Sequence, residues 1–275
     1  MFAGLSGDLG TLGLGLVIAG VVSGLVAGML GVGGGIVIVP VLYHVLGSAG
    51  VPEDLRMHLA VGTSLATIIP TSLSSLSSHA KKKAVDWDQL KRWIAPMVIG
   101  VVLGAAIAGL VRGQVLTLIF GCVGLPVAAQ LAFGKESWRL ADHIPRGIGG
   151  AVLPFGIGSL STMMGIGGGT IGVPAMTLCG VPIHRAVGTA SAFGAISSVP
   201  GAIGAVIAGW GAAGLPPYSY GYVNLLAFAV IAPVAFLTAP FGATFAHMAN
   251  TTRLRRTFAL FVAVTAIKML WDALS

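Results

Sequence analysis

The sequence predicts an all-α integral membrane protein. It is built from two inverted-topology repeats, each a Gly-broken helix pair plus three further helices. Three observations carry this. The 275 residues are 56% hydrophobic and only 8% charged, with a mean hydropathy of +0.96, and several apolar stretches are long enough to span a bilayer. An unusual phrase occurs twice: Gly31-Val-Gly-Gly-Gly-Ile-Val-Ile-Val-Pro40 returns as Gly165-Ile-Gly-Gly-Gly-Thr-Ile-Gly-Val-Pro174, 134 positions later. The basic clusters, finally, change place between the two halves.

The apolar segments of the first half are 9–30, 36–47, 54–79, 90–111 and 114–133. Those of the second are 146–164, 170–179, 185–210, 222–246 and 257–274. Each half therefore has a helix of ordinary length, a glycine-rich break, a short helix and three more helices. This divides the chain into a first membrane repeat (1–134), a cytoplasmic joint (135–146) and a second membrane repeat (147–275). The N-terminal run has Asp8 as its only charge and no basic n-region, so it is expected to stay as a first helix and not to be a cleaved signal.

The formal charge of +7 reflects basic loops, which sit on the cytoplasmic side of membrane proteins. No basic stripe interleaved with aromatics points to nucleic acid. Lys81, Lys82, Lys83, Lys91 and Arg92 lie between the third and fourth segments. The matching loop of the second half, near 211–221, has no charge, and Arg253, Arg255 and Arg256 come one loop later. Parallel halves would put one cluster outside; antiparallel halves put both inside. Lys135, Arg139, Arg146 and Arg185 then fall inside as well. Only Arg56, Arg112 and Lys268 remain outside, so 12 of the 15 basic residues are cytoplasmic. This topology needs an odd number of crossings per half. It is satisfied whether the short helices are re-entrant or cross fully, and it puts both termini on the non-cytoplasmic face of the plasma membrane. Trp87, Trp93, Trp138, Trp210 and Trp271 are expected in the interfacial belt.

Glycine reaches backbone angles closed to other residues. Irregular backbone at membrane depth is tolerated where it is buried in protein or lines a wet cavity. Helix ends exposed by such breaks carry free N–H groups that attract anions. The candidate binding glycines are Gly33, Gly34 and Gly35, with Gly167, Gly168 and Gly169. Many of the remaining glycines, out of 42 in the chain, are expected to serve close helix packing. A second duplicated element follows each break: Ala60-Val-Gly-Thr63 with Ser64, and Ala186-Val-Gly-Thr189 with Ser191. Thr63, Ser64, Thr189 and Ser191 are candidate hydroxyl donors to an oxyanion, although Ser and Thr also join helices in membranes. His58 and His184 stand two residues before each alanine. With Arg185, they are candidates for charge or proton roles.

All eight acidic residues fall in loops or at helix ends. Cation carriers and proton pumps use intramembrane carboxylates, so the substrate is expected to be anionic or neutral. Cys122 and Cys179 show no metal or redox spacing, and no metal or other cofactor is expected. The polar end Ser72–His79 reads as a helix end emerging among headgroups. Gly4-Leu-Ser-Gly7 matches the GxSG of intramembrane serine proteases but has no partner base, so the protein is not read as an enzyme.

The duplicated G-[VI]-G-G-G-x(4)-P and A-V-G-T elements resemble those of the sulfite exporter TauE/SafE (TSUP) family, over about residues 10–270. The resemblance implies a transporter for sulfur-containing anions such as sulfite or organosulfonates. The anion site would draw on Gly33, Gly34, Thr63 and Ser64, and on Gly167, Gly168, Thr189 and Ser191. One departure is visible: the second copy reads Gly-Thr-Ala-Ser, which moves its serine one place along. The expected partners are a small anionic substrate and the lipid bilayer, with a homodimer compatible with the class. Two other readings share these features, an anion channel of the same architecture and a non-transporting membrane scaffold.

Overall fold

The computed structural model describes residues 8–31, 33–134, 141, 143–144, 147–248 and 251–274. Five helices precede the joint: α1 (Asp8–Leu30), α2 (Gly35–Ser48), α3 (Glu53–Lys81), α4 (Trp87–Leu110) and α5 (Gly113–Phe133). Five follow it: α6 (Ile148–Met164), α7 (Gly169–Leu178), α8 (Ile183–Ala208), α9 (Leu225–Met248) and α10 (Thr251–Leu274). A small antiparallel hairpin, β1 (Ser219–Tyr220) and β2 (Val223–Asn224), precedes α9. The protein is an all-α membrane protein. Most of the 135–146 joint and the Gly4–Gly7 motif lie outside the described residues.

Local chemistry sets the helix ends. Pro52 and Pro182, at φ −54° and −56°, stand at the N-caps of α3 and α8. Glu53 and Asp54 complement the α3 N-terminus and Lys81 its C-terminus. The Gln89 N–H donates to Asp86 Oδ1, capping α4. The basic stretch around Arg253–Arg256 differs from the sequence expectation of a loop. It belongs to α10, which starts at Thr251, because a helix can continue beyond its apolar span where its residues have helix propensity.

Among the described residues, six helices are long and apolar enough to cross a membrane by length and composition: α1, α3, α4, α5, α8 and α9. At 1.5 Å per residue, α2 and α7 reach only about 21 Å and about 15 Å, short of a hydrocarbon core of about 30 Å. Neither crosses alone.

The packing interleaves the two sets of helices. α1 lies against α9 and α4 against α6, α3 against α8, and α5 against α10; α3 also meets α9, and α4 meets α8. Exchanging each helix of the first set with its counterpart in the second maps these contacts onto themselves. The glycines follow suit. A Cβ on Gly24 of α1 would meet Ala235 O, and one on Gly242 of α9 would meet Leu25 O. In α6 and α4, Gly158 faces Met97 O and Gly104 faces Ser159 O. Backbone-to-backbone approach at small residues drives association where lipid is as apolar as the side chains.

Charge segregates by end. Lys82, just past the C-terminus of α3, donates to Ala243 O near the C-terminus of α9. Arg56, Lys268, Glu53 and Asp272 share a cavity of about 630 Å3 with Tyr43 and His44. Trp87, Trp210 and Trp271 are exposed, as a belt requires, but Trp93 is buried in the protein. It faces a neighbouring helix instead of the headgroups. Trp138 lies outside the described residues.

Overpacking a close helix contact costs about 1–3 kcal/mol or more. Gly104→Leu and Gly242→Leu are therefore expected to lower the thermal unfolding midpoint of purified protein by comparable amounts. Gly156→Ala is the control, since its Cβ would meet nothing within 4 Å; it should shift the midpoint little.

Candidate functional site

The two glycine breaks meet. A Cβ on Gly35 would lie 2.5 Å from Gly165 O and 2.7 Å from Ile166 Cα. The Ser64 hydroxyl donates to the same Gly165 oxygen at 2.7 Å. Each break also rests on the other half's long helix: Gly31 approaches Val187 O, and Gly165 lies 2.8 Å (from its Cβ position) from Val61 Cα. Val61 and Val187 are the valines of the two A-V-G-T elements. The backbone turns that make this possible need glycine. Gly33 and Gly34 sit at φ +74° and +78°, and Gly165 and Gly167 at +68° and +67°.

The junction is packed closed, so of the two settings that tolerate irregular backbone at membrane depth it is burial in protein, not a wet cavity, that holds here. The Ile68 side chain fills it. Its Cγ2 would be 2.9 Å from a Cβ on Gly33 and 3.3 Å from one on Gly167, and its Cδ1 2.7 Å from one on Gly35. Every side chain against which Gly31, Gly33, Gly34, Gly35, Gly165, Gly167 and Gly168 rest is uncharged. Among the described residues, no group of three metal-ligating side chains forms.

The breaks are not equivalent. Gly34, the N-cap of α2, is left-handed, with φ +78° and ψ −5°. Gly168, the N-cap of α7, has φ −60° and ψ −17°. The Gly168 N–H donates to Ser197 Oγ at 2.9 Å, and that hydroxyl donates to Phe193 O at 2.7 Å. Thr71 holds the place of Ser197 in the first half, and it bonds back to Thr67 O. The first-turn N–H groups of Gly35 and Ile36 have no acceptor inside their own helix. Gly169 opens α7 and is buried.

The A-V-G-T elements join the halves. The Asn224 N–H donates to Thr63 Oγ1 and the Asp86 N–H to Thr189 Oγ1, both at 2.9 Å. Asn224 Oδ1 then caps α9 through the Ala227 N–H, as Asp86 caps α4. Gly62 and Gly188 let the carbonyls of Tyr222 and Ala84 approach. Each motif threonine thus holds the loop that starts a long helix of the opposite half. This is the physical meaning of the duplicated phrase, and it engages both hydroxyls, proposed from sequence for a substrate, in structural bonds.

The serines diverge. Ser64 reaches across to the second break, while Ser191, one place later in its motif, donates to Gly188 O in its own helix. A one-residue offset turns a helix face by about 100°. The histidines diverge too. His58 is buried, with Nδ1 3.0 Å from Asp54 O and Nε2 3.1 Å from both Ala108 O and Val111 O at the end of α4. Its ring lies 4.8 Å from that of Tyr222. His184 and Arg185 are exposed at the start of α8.

Sequence reasoning missed Ile68, Ser197 and an aromatic pair. Trp93 stacks on Phe193 at 5.4 Å between ring centroids, and Phe193 packs on Gly168 and Gly172. The far side of Trp93 walls a cavity of about 540 Å3 that also contains Gln89 and Arg92. No local motif marks these residues, because their partners come from other helices.

Removing the acceptor of a buried N–H costs about 1–3 kcal/mol. Thr63→Val and Thr189→Val should each lower the unfolding midpoint by a similar amount, measured on purified protein. A non-glycine residue in the left-handed region costs about 1–2 kcal/mol, so Gly34→Ala should destabilise more than Gly168→Ala in the same assay.

Comparison with known proteins agrees with this architecture. The sulfite exporter TauE/SafE family matches residues 16–269. A probable membrane transporter protein of Haemophilus influenzae is 33% identical over 92% of this chain and 96% of its own length. The probable membrane transporter protein YunE of Bacillus subtilis is 26% identical over 94% and 97%. One from Methanocaldococcus jannaschii is 27% identical over 68% and 70%. No solved structure matches. The two glycine-broken helix pairs, the paired A-V-G-T contacts and these matches identify a membrane transporter, not an enzyme: the chain belongs to the TauE/SafE sulfite exporter family.

Proposed function

We propose that this protein is a secondary transporter that moves a small sulfur-containing anion, such as sulfite or an organosulfonate, across the plasma membrane by alternating access. The anion is held where the two glycine breaks meet. Contact between the breaks is the observation that carries the reading: Ile68 touches Gly33, Gly35 and Gly167, so the α2 and α7 N-termini and their partial positive charge share one buried place, while Ser64 takes up the Gly165 carbonyl that ends α6. The side chains nearest the glycines are uncharged and the acidic residues fall in loops or at helix ends, which supports an anion over a cation. In this reading the Gly33–Gly35 break supplies backbone donors, Gly167–Gly169 wall the same place from the other half, and Ser64 holds the two breaks in register. Thr63, Thr189 and Ser191 act through the framework around them.

The halves are read as inverted repeats. Lys82 bonds near the end of α9 that leads to Arg253–Arg256, which supports both basic clusters sharing one end. Arg56 and Lys268 meet in one cavity, and a Cβ on Gly113, next to Arg112, would lie 2.7 Å from Asp54 O. This supports the three remaining cations sharing the other end. By the positive-inside rule the first end is cytoplasmic, which places both termini outside. Exchange of equivalent contacts between the halves supports rocking of one repeat against the other as the way the site opens. The packing of Ile68 between the breaks favours a carrier over an open channel.

Purified protein in liposomes should take up radiolabelled sulfite with saturable kinetics. Gly34→Leu and Gly168→Leu should each reduce the rate at least tenfold while leaving membrane insertion intact. Uptake that grows linearly with concentration at channel-like rates would replace the carrier with a channel. Undiminished uptake in both variants would remove the breaks from the mechanism.

A further inference from the structure

We infer that, where the breaks meet, the first break supplies the donors that hold the anion, that Ser23 is one of them, and that they select oxyanions with a single negative charge. The inference rests on the carrier reading and deepens it.

Ser23 lies on α1 and is fully buried. Its hydroxyl has no hydrogen-bond partner among the described residues. It is directed at Gly34: a Cβ there would run into Ser23 Oγ and would lie 2.6 Å from Ser23 O. An unpaired buried hydroxyl is rare in native proteins because it loses water without replacement. Here it stands at the N-terminus of a 14-residue helix whose Gly34 is left-handed and whose next residue is helical. Successive N–H groups in that pairing of conformations form an anion-binding concavity. Ser23 adds an O–H donor to the backbone N–H groups at this helix start. The second break offers a different arrangement, since Ser197 already accepts the Gly168 N–H and its N-cap is right-handed. Ser161 also has an unpartnered hydroxyl, and it serves below as a control.

The charge of the ligand follows from what surrounds the seat. The side chains nearest Gly31, Gly33, Gly34, Gly35, Gly165, Gly167 and Gly168 are Ser23, Val39, Ile68, Met97, Val187 and Phe193, all uncharged. Neutral donors can hold one charge in such a place. The desolvation cost grows with the square of the charge, about fourfold for a dianion. A sulfonate group, with three acceptor oxygens and one negative charge, suits the seat; sulfate, with the same kind of oxygens and two charges, does not.

Calorimetric titration of purified protein with methanesulfonate and with sulfate tests this. The wild type should bind methanesulfonate at least tenfold more tightly than sulfate. Ser23→Ala should weaken methanesulfonate about tenfold, the loss expected for a hydrogen bond to a charged group. Without ligand, the same variant should unfold about 2–4 °C higher than wild type, because an unpaired hydroxyl is gone. Ser161→Ala and Ser197→Ala should keep methanesulfonate affinity within about twofold. Unchanged affinity in Ser23→Ala, with a wild type that binds, overturns the seat and leaves the carrier reading standing. So does an equal loss in Ser197→Ala. A lowered midpoint in ligand-free Ser23→Ala means that a trapped water satisfies the hydroxyl, and also overturns it. Sulfate bound as tightly as methanesulfonate overturns the charge selection. A wild type that binds neither probe and transports no sulfur anion removes both this inference and the reading beneath it.

Discussion

Backbone polar groups inside a membrane must find partners within the protein, and this constraint organises the molecule. A glycine break frees N–H and carbonyl groups where lipid can offer nothing. The protein answers by burying each break against the other and against the opposite long helix. Ser64 takes up the Gly165 carbonyl. Ser197 takes up the Gly168 N–H. Ser75 and His79, from a stretch that reads as a helix end among headgroups, bond the Ala27 and Gly28 carbonyls in the last turns of α1. Ser72, Ser74, Ser75 and His79 are buried, so that face of the stretch meets protein, while Leu73 and Ser77 are exposed.

The same constraint explains why the halves cannot be separated. The threonine of each A-V-G-T element accepts an N–H from the loop that begins a long helix of the other half. Each motif glycine makes room for a carbonyl of that same loop. Paired glycines then bring α1 onto α9 and α4 onto α6. Each half completes the helix caps of the other, and any rocking motion must carry these paired contacts along. Within that shared framework the two breaks have drifted apart in detail. Gly34 and Gly168 differ in handedness, and Ser64 and Ser191 point to different faces.

Much of the fold was legible because its signals are local or periodic. Apolar runs mark helices whatever they pack against, so the ten segments and the ten helices agree closely. The main exception is the N-terminal part of α10, whose polar residues hide a helix from hydropathy. The site was legible only in outline. Repetition drew attention to the glycine clusters and to Thr63 and Thr189, but not to what each does. Thr63 and Thr189 appear from sequence as donors to a substrate, and in the fold they accept bonds from Asn224 and Asp86. Trp93 appears as a belt residue, and in the fold it stacks on Phe193.

By itself the sequence determined the class, the order of the helices, the two breaks and the uneven placement of charge, since each depends on residue type and spacing along one chain. Only the tertiary structure decided that the breaks touch, that Ile68 closes the space between them and that Ser23 faces Gly34 without a partner. Those facts depend on which helix lies beside which, and in a chain of near-uniform apolarity many pairings look alike until the backbones are brought together.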